Sequence, residues 1–525
     1  MLSDSLRNTA GMVWVDNRTI LYVEQEPRTN RTFKVKRHIL GSVQSSDELV
    51  YEEKDPTFSV DISKSRSKQF IFLNTSSSNT SEVYYLRVDK PNDDFKLIAP
   101  RENGHLYSIS DYKDKFFIFT NKDALNFKVL QSDTAAIHAS NWRKYIAHNK
   151  NILINGFLKF DNYTVVKEKS DAQNKIKIIN DATGNEHYIK FKQDIYNVGF
   201  GYNPETNTDT LQIRFQSLNT PLATFNYHMG TKKKRLVKIQ KVPNMIMPKF
   251  IQSKRVWAEA DDGEKIPITL VYNKWNVGKK IKRKRLYLTS YGSYGAGIDV
   301  YFDHTLFSLM NRGFVVAIVH VRGGDDRGRG WYEDGKLLNK KNTFSDFITC
   351  AEYLISEGYA NKGEIVAEGA SAGGLLMGAV ANMRPDLFKL VILEKPFVDV
   401  VNTMLDDKLP LTTLEYDEWG NPQRKKYYKY IQSYSPYDNV KAQDYPNMLF
   451  ITGLNDTRVG YLEPAKMVAI IRATKTNDIL VLLYSDLSCG HGGASGRYSY
   501  YRDLAYKYAI IFDLFAKREE VKAGP

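Results

Sequence analysis

One stretch of the chain carries the residue types of a catalytic nucleophile in a tight turn. Ser371 lies in the sequence Gly-Ala-Ser-Ala-Gly-Gly at 369–374. An apolar, strand-like run from Ile365 to Glu368 precedes it, and a helix-like run from Leu375 to Met383 follows it. Glycines beside a serine between a strand and a helix are typical of a nucleophile elbow, where small neighbours let the hydroxyl stand clear. The same short pattern also occurs in ordinary glycine- and serine-rich loops, so it needs partners.

Two further residues supply what a serine nucleophile requires. A serine hydroxyl is a poor nucleophile until an imidazole accepts its proton, and the imidazole needs a carboxylate that orients it. Asp456 follows the predicted strand Met448 to Thr452, and His491 lies in a glycine-rich loop after the last predicted strand. Taken singly, Asp456 is also explained as a helix cap and His491 as a surface residue. Their order after Ser371 is the order in which an α/β-hydrolase fold arranges Ser, Asp and His.

Acyl transfer also needs hydrogen-bond donors for the oxyanion. The backbone N–H of Ala372, the residue after Ser371, is one expected donor. A second is expected from the segment after an earlier strand, where Tyr291 lies within Ser-Tyr-Gly-Ser-Tyr-Gly at 290–295. The phenol hydroxyl of Tyr291 is the candidate, and the alternative is a buried tyrosine in a glycine turn.

Alternating strands and helices must position these residues. After Arg285, apolar strand-like runs alternate with helical periods, which is typical of a doubly wound, mostly parallel sheet with helices on both faces. In such sheets the chemistry gathers beyond the carboxyl ends of the strands. The predicted strands are Leu286 to Thr289, Val315 to Val319, Ile365 to Glu368, Leu390 to Leu393, Met448 to Thr452 and Ile479 to Tyr484. The predicted helices are Phe344 to Ser356, Leu375 to Met383 and Glu463 to Ala473, and a hairpin is predicted from Val256 to Tyr272.

The first half of the chain shows a different pattern, a regular spacing of short strand-like segments. Short strand-like pieces begin at intervals of about 45 residues, near Val13, Phe58, Tyr107, Ile152 and Tyr196. Repeats of that length, each built of several short strands, are typical of β-propeller blades. An irregular β-sandwich is the alternative. We expect a β-propeller of about five blades in residues 1–240 and an α/β-hydrolase domain in residues 241–525.

Composition sets limits on function. The chain has 525 residues, 42% of them apolar and 26% charged, which is typical of a globular protein. Because no apolar run is long enough to cross a membrane and no signal peptide is recognisable, no membrane association and a cytoplasmic location are expected. The two cysteines exclude a disulfide framework and a cysteine-rich metal site. The net charge of +14 comes from scattered lysines apart from the runs Lys232 to Arg235 and Lys279 to Arg285, which we interpret as solvated loops. A nucleic-acid partner is therefore not expected.

The second half closely resembles the prolyl oligopeptidase family of serine peptidases, and within it the oligopeptidase B type. The matching stretches lie between Val256 and Arg502 and read SYGSYGAGID, HVRGGDDRGRGWYEDGK, EGASAGGLL, PLTTLEYDEWGNP, YSPYDNV, TGLNDTRV and GHGGASGR. The resemblance implies a seven-bladed propeller over an α/β-hydrolase domain, with peptides cut in the cavity between them. It implies that Ser371 is the nucleophile, His491 the general acid and base and Asp456 its orienting carboxylate. It also implies Tyr291 as the side-chain oxyanion donor, and no metal or organic cofactor.

The resemblance further implies a substrate preference. Prolyl-specific members place a tryptophan where this chain has Glu415, and a carboxylate there pairs with arginine or lysine instead of stacking on proline. Asp417 matches a second acidic residue of that pocket, and Arg458 matches an arginine that binds a substrate carbonyl. Asp299 matches one of two acidic residues at the next subsite, and a weak dibasic preference is expected because its partner position holds Tyr301. For Glu415 and Asp417 the alternative is an acidic loop that faces water.

These observations predict an endopeptidase that cleaves short basic peptides after Arg or Lys through an acyl-enzyme on Ser371. A prolyl-type or aminoacyl-releasing peptidase, or an esterase on the same fold, is the alternative among enzymes. The sequence accounts for about five of the family's seven blades, which predicts either an incomplete sequence or a five-bladed variant. A propeller scaffold with an impaired hydrolase half is therefore a further alternative. The oligomeric state is not predicted.

Overall fold

The computed structural model describes residues 4–242, 250–277 and 285–522 of the chain. These residues form five small antiparallel sheets followed by one large mixed sheet. The fifth small sheet ends at Ile239, and the large sheet begins at Ile251. Of the two basic runs, Lys232 to Arg235 is exposed, but its last two residues begin a strand instead of lying in a loop. The other run lies almost wholly outside the described residues.

Each small sheet is a meander of four consecutive strands. The first three sheets are β1 (Thr9–Trp14), β2 (Thr19–Gln25), β3 (Thr32–Ile39) and β4 (Glu48–Glu52); β5 (Ser59–Lys64), β6 (Phe70–Ser76), β7 (Ser81–Arg87) and β8 (Lys96–Ala99); and β9 (Tyr107–Tyr112), β10 (Lys115–Thr120), β11 (Lys128–Asp133) and β12 (Arg143–Ile146). The last two are β13 (Leu153–Lys159), β14 (Tyr163–Ser170), β15 (Gln173–Asn180) and β16 (Glu186–Tyr188); and β17 (Asn197–Phe200), β18 (Thr210–Ser217), β19 (Thr220–His228) and β20 (Lys234–Ile239). Every predicted repeat position lies in or beside the first strand of a sheet, and the propeller prediction is confirmed.

Neighbouring blades pack face to face through apolar side chains. Leu21 and Val23 of the first blade share a core with Ile62 and Ile71 of the second. Between the second and third blades the rings of Phe70 and Phe116 lie 4.9 Å apart between centroids. Because alternate side chains of a strand point to opposite faces, each middle strand contributes to the cores on both of its sides.

The large sheet has eight strands, in the order β21-β22-β24-β23-β25-β26-β27-β28. Its strands are β21 (Ile251–Glu259), β22 (Lys265–Asn273), β23 (Arg285–Thr289), β24 (Phe314–Val319), β25 (Ile365–Ala370), β26 (Phe388–Glu394), β27 (Asn447–Gly453) and β28 (Val481–Asp486). The first two strands form the predicted antiparallel hairpin. The other six strands, β23 to β28, pair in parallel with one another. This arrangement confirms the predicted doubly wound, mostly parallel sheet.

Helices cover both faces of this sheet. The helices of this half are α1 (Lys274–Val277), α2 (Phe307–Met310), α3 (Arg329–Glu333), α4 (Lys341–Ser356), α5 (Ala372–Met383), α6 (Val400–Leu405), α7 (Tyr416–Trp419), α8 (Lys425–Gln432), α9 (Leu462–Thr474) and α10 (Arg497–Lys522). One core joins α4, α5 and α9 to one face, and a second core joins α2 and α10 to the other. In the described ranges, no helix is long and apolar enough to cross a membrane, and no group of His, Cys, Asp and Glu is arranged to hold a metal ion.

The propeller contacts the carboxyl-end loops of the large sheet at several points. Ser77 Oγ of the second blade donates to Asp417 Oδ2 at 3.0 Å, and Thr413 Oγ1 donates to the carbonyl of Pro56 at 2.9 Å. Near the fourth blade, the N–H of Ala172 donates to the carbonyl of Asp326 at 2.6 Å. Propeller loops therefore lie directly against the segments that follow the strands of the hydrolase domain.

Candidate active site

Ser371 occupies a sharp turn between β25 and α5. Its φ of +56° lies in the left-handed region that side chains rarely adopt. The turn requires glycine nearby, because a Cβ on Gly369 would come within 2.3 Å of the Gly373 carbonyl oxygen. A Cβ on Gly373 would come within 2.9 Å of the Ser290 carbonyl oxygen. The glycines thus let the turn close and let the 290–295 segment approach it, as a nucleophile elbow requires.

Asp456 and His491 lie together, although 35 residues separate them in the sequence. The Asp456 carboxylate is fully buried, and its Oδ2 is 2.8 Å from His491 Nδ1. Burial works against ionisation of Asp456, but hydrogen bonds from His491 and from the backbone N–H groups of Val459 and Arg458 lower its pKa below the ordinary value. The carboxylate is therefore charged at neutral pH, and its bond to Nδ1 leaves the other ring nitrogen of His491 for a different partner.

The loops that carry these two residues are held against each other by their backbones. The N–H of Asn455 donates to the carbonyl of Cys489 at 3.1 Å, and the N–H of Leu454 donates to the carbonyl of Asp486 at 2.9 Å. A Cβ on Gly453 would come within 2.4 Å of the Cys489 carbonyl oxygen. The parallel pairing of β27 with β28 therefore continues into the loops and fixes the distance between the carboxylate and the imidazole.

Tyr291 and Ala372 approach Ser371 from two sides. Burial raises the pKa of Tyr291 to about 12, while a hydrogen bond with Ser371 acts in the opposite direction. The phenol therefore keeps its proton at neutral pH and is available as a donor. Ala372 is the first residue of α5, so its N–H is one of the helix N-terminal groups that have no partner within the helix. Both predicted oxyanion donors thus lie next to Ser371.

A cavity of about 280 Å³ gathers most of the predicted site residues. Its walls include Ser371, His491, Tyr291, Glu415 and Arg458, together with Tyr294, Phe397, Thr403, Met404, Pro410, Leu411, Thr412 and Val459. Its lining combines these polar groups with apolar side chains such as Phe397, Met404 and Leu411. A side chain of a bound peptide that enters this cavity therefore meets a carboxylate within a partly desolvated space.

Two neighbouring side chains fix the orientation of Glu415 in this cavity. Tyr294 donates its hydroxyl to Glu415 Oε2 at 2.9 Å, and the indole N–H of Trp419 donates to the same oxygen at 2.6 Å. In the part of the chain that the structure describes, both hydrogen bonds accepted by this carboxylate go to Oε2, so Oε1 remains for a ligand. Burial raises the pKa of Glu415, and the hydrogen bonds from Trp419 and Tyr294 act against that rise.

Asp417 and Asp299 lie apart from Glu415. Asp417 is not one of the described residues that line the small cavity. Its Oδ2 accepts the hydrogen bond from Ser77 of the propeller. Asp299 lies 3.0 Å from Lys169 Nζ and lines a second, larger cavity of about 650 Å³. The two cavities share Tyr291 as a wall. The structure therefore brings together Ser371, His491, Asp456, Tyr291, Ala372, Glu415 and Arg458, and it separates Asp417 and Asp299 from them.

Sequence reasoning missed the residues that hold Glu415. Trp419 follows Glu415 by four residues, which is the spacing of neighbouring side chains on a helix, so this pair was within reach of a pattern search. Tyr294 lies in the same glycine-rich turn as Tyr291, and only the fold shows that its hydroxyl reaches the segment 413–419.

Comparisons with known families match both halves of the chain. The model described as "Prolyl oligopeptidase family" matches residues 300–517. The model described as "Prolyl oligopeptidase, N-terminal beta-propeller domain" matches residues 1–240. Together the two matches contain the five blades and most of the α/β-hydrolase domain.

Similar proteins are known from bacteria and from a protozoan parasite. The chain is 44% identical to dipeptidyl aminopeptidase BI of Pseudoxanthomonas mexicana, over 98% of this chain and 71% of that protein. It is 38% identical to protease 2 of Moraxella lacunata, over 99% of this chain and 75% of that protein. A solved structure of oligopeptidase B from Leishmania major superposes with a TM-score of 0.93 at 35% identity, covering 98% of this chain and 73% of that one.

Proposed function

Because the chain belongs to the prolyl oligopeptidase family of serine peptidases, we propose that it cleaves peptides after Arg or Lys through an acyl-enzyme on Ser371. The observation that carries this proposal is the Glu415 carboxylate, which shares one cavity with Ser371 and His491. A carboxylate beside an apolar wall favours a side chain that combines a long aliphatic stem with a cationic end. Arginine and lysine are the side chains of that kind.

In the proposed reaction, Ser371 Oγ attacks the carbonyl carbon of the scissile bond while His491 Nε2 takes its proton. Asp456 holds Nδ1 and stabilises the imidazolium that forms. The Tyr291 hydroxyl and the Ala372 N–H donate to the carbonyl oxygen as it gains negative charge. His491 then gives its proton to the leaving amine, and a water molecule releases the acyl group by the same route.

The contacts of Glu415 also argue against a preference for proline. Tyr294 and Trp419 hold the carboxylate by one oxygen, which keeps Glu415 at the wall of the cavity. The ring centroids of these two residues lie 5.6 Å apart at 84°. Proline carries no charge with which to offset desolvation of Glu415, whereas an arginine forms a charge-assisted hydrogen bond with its free oxygen.

The proposal is tested with arginyl, lysyl and prolyl fluorogenic peptides and a neutral ester on the full chain. Ser371→Ala is expected to lower kcat at least about 10⁴-fold on every substrate and to abolish labelling by a fluorophosphonate probe. Glu415→Gln is expected to lower kcat/KM on arginyl peptides about 100-fold and to leave the neutral ester unaffected. Asp417→Asn is the matched comparison, and a loss of less than about threefold is expected because its partner is Ser77. Faster cleavage of the prolyl peptide by the unsubstituted protein would remove the assignment of the pocket.

A second candidate function is the release of dipeptides from a free amino terminus. The relative with 44% identity carries the name dipeptidyl aminopeptidase BI, which is the observation that favours it. Both functions use the same nucleophile and the same arginine pocket, and they differ in whether the α-amino group of the peptide must be free. Matched Ala-Arg substrates with free and with acetylated amino termini separate them, because an endopeptidase hydrolyses both and a dipeptidyl peptidase hydrolyses only the free form.

A further inference from the structure

A buried ion cluster joins the fourth blade to the hydrolase domain beside the larger cavity. Lys169 on β14 has only 3% of its side chain exposed, and its Nζ lies 3.0 Å from Asp299 Oδ1 and 2.7 Å from Asp325 Oδ1. Asp326 Oδ1 lies 3.7 Å away and also contacts His320 Nδ1 at 3.0 Å. The propeller therefore supplies a cation to three carboxylates of the hydrolase domain.

Glycine at position 297 allows the ammonium to reach this place. A Cβ on Gly297 would come within 2.5 Å of Lys169 Nζ and within 2.8 Å of Asp326 Oδ1. Real Cβ atoms essentially never approach a heavy atom so closely, and Asp325 Oδ1 would lie nearer still at 2.4 Å, so any other residue would displace the lysine or its carboxylate partners. The backbone of the 290–303 segment is thus shaped around the lysine of the neighbouring domain.

The charges of this cluster are balanced. Lys167 lies two residues before Lys169 on the same face of β14, and attraction to Asp299 opposes the effect of burial on its pKa. Arg255 on β21 is attracted to Asp326, while burial lowers its pKa to about 10. Three cations therefore face the carboxylates of Asp299, Asp325 and Asp326, and little negative charge is left for a ligand.

Asp299 faces the region that a bound peptide would enter. One third of its side chain is exposed, and it lines the larger cavity together with Gly369 and Ala370, which directly precede Ser371. The larger cavity meets the small one at Tyr291. A peptide whose scissile bond lies at Ser371, with its cleaved residue in the small cavity, therefore extends an adjacent residue toward Asp299.

We propose that Lys169 of the propeller pairs with the Asp299 carboxylate, at which the larger cavity would otherwise bind a second basic side chain of the peptide. Lys169 is thus a specificity-determining residue that selects peptides with a neutral residue beside the cleaved Arg or Lys. The inference rests on the proposed function, since it assumes cleavage beside a basic residue. It differs from a purely mechanical role of Lys169, because loss of an interdomain contact alone would change cleavage of all peptides alike.

The experiment compares full-length variants on blocked peptides that carry Arg or Ala next to the cleaved Arg, on either side of it. In Lys169→Met, the ratio of kcat/KM for the dibasic peptide to kcat/KM for its alanine counterpart is expected to rise about tenfold at one of the two positions. Lys159→Met is the matched control, because Lys159 is a lysine of the same blade that pairs with Asp181 at 2.7 Å inside the propeller. Its ratio is expected to equal that of the unsubstituted protein.

Asp299 provides the second half of the test. The double variant Lys169→Met with Asp299→Asn is expected to return the ratio to the original value, because the freed carboxylate is gone. Asp299→Asn alone keeps Lys169 and leaves its positive charge without this partner, so it is expected to lower the ratio about threefold. This single variant tests the inference if Lys169→Met does not fold. An unchanged ratio at both positions in a folded variant overturns the inference. Failure of the unsubstituted protein to cleave the alanine peptide instead overturns the proposed function.

Discussion

Two tyrosines of one glycine-rich turn have different partners in the active site. Tyr291 lies beside Ser371, whereas Tyr294 donates its hydroxyl to Glu415. The sequence Ser-Tyr-Gly-Ser-Tyr-Gly at 290–295 presents them as near equivalents. We expect these partners to separate two tasks, because one hydroxyl lies beside the serine proposed as the nucleophile and the other orients the carboxylate that is expected to select the substrate.

Tyr291→Phe is therefore expected to slow the chemical step. Loss of one oxyanion donor lowers kcat about 10²-fold in comparable sites, with little change in KM, since the bond forms mainly in the transition state. Steady-state kinetics on an arginyl peptide and on a neutral ester measure this effect, and both substrates are expected to lose kcat equally.

Tyr294→Phe is the matched control for Tyr291→Phe. It removes a hydroxyl from the same turn, and it is expected to raise KM for the arginyl peptide while leaving kcat on the neutral ester within about twofold. An equal loss of kcat in both variants would contradict the separation of roles.

Glu415 is expected to give arginyl cleavage a distinctive pH dependence. Burial raises the pKa of this carboxyl above its ordinary value of 4.5, with hydrogen bonds from Trp419 and Tyr294 opposing the rise. As the pH falls through this raised pKa, the carboxyl gains a proton and loses its attraction for the substrate cation. The ratio of kcat/KM for an arginyl peptide to that for a neutral ester is therefore expected to fall on acidification, beginning above pH 4.5. Glu415→Gln is expected to make this ratio independent of pH.

At the level of elements, the strands that precede Ser371, Asp456 and His491 were predictable from their continuous apolar runs. The runs ending near Glu368 and Thr452 lie within largely buried strands, whereas the run ending at Tyr484 begins two residues before β28, a partly exposed edge strand. The proposed triad follows from the loops after these strands. What the sequence does not contain is which contacts a side chain makes with the other domain, and so Asp417 on α7, predicted beside Glu415, contacts Ser77 of the propeller instead.

Two elements escaped prediction for identifiable reasons. The turn of the hairpin between β14 and β15 is Asp171-Ala172, with φ values of +49° and +57°, a conformation for which glycine or asparagine is the usual signal. Contacts of this turn with the hydrolase domain stabilise it despite the strain. Helix α10 begins with five aromatic or charged residues around Ser499, and its early turns are mostly exposed, so no apolar stripe marks its start.

Glu463 on α9 is expected to make stability fall as pH rises toward neutrality. It accepts hydrogen bonds from the N–H groups of Val398 and Asp399 and from Thr403, which lines the small cavity. Burial raises its pKa to about 7, against those bonds. Between the ordinary pKa of 4.5 and about 7, the folded chain keeps a proton that the unfolded chain has lost. The free energy of unfolding therefore decreases across this window, by up to about 3 kcal/mol.

Thermal midpoints at pH 5 and pH 8 measure this effect. Glu463→Gln keeps an acceptor for the backbone N–H groups and cannot lose a proton, so its midpoint is expected to fall less between the two pH values than that of the unsubstituted protein. Glu352→Gln on the exposed side of α4 is the control and is expected to follow the unsubstituted protein. Parallel pH profiles for all three proteins would contradict the assignment.

At the scale of the whole molecule, the propeller packs against segments that line the two cavities. Its loops contact the segment 413–417 that carries Glu415, through Pro56, Ser77 and Ser78. Its fourth blade places Lys169 beside the larger cavity. We therefore expect substrate specificity to depend on how the two domains sit on each other, while Ser371, His491 and Asp456 all belong to the hydrolase domain.

Arg255 offers a direct test of this coupling between domains. It extends from β21 and donates from Nη1 to the Asp171 carbonyl at 2.9 Å and from Nη2 to the Ala172 carbonyl at 3.2 Å. Arg255→Met keeps most of the aliphatic stem and removes both donors, leaving the carbonyls of a strained turn without these partners, at a cost of about 2 kcal/mol. Calorimetry is expected to show a midpoint lower by about 2 °C, or a propeller transition that separates from that of the hydrolase domain. Arg143→Met is the control, because Arg143 also donates to two backbone carbonyls but does so on the exposed surface of the third blade. If both variants unfold like the unsubstituted protein, the turn at 171–172 does not couple the domains, and their coupling must depend on other contacts between them, such as those of Lys169, Asp417 and Thr413.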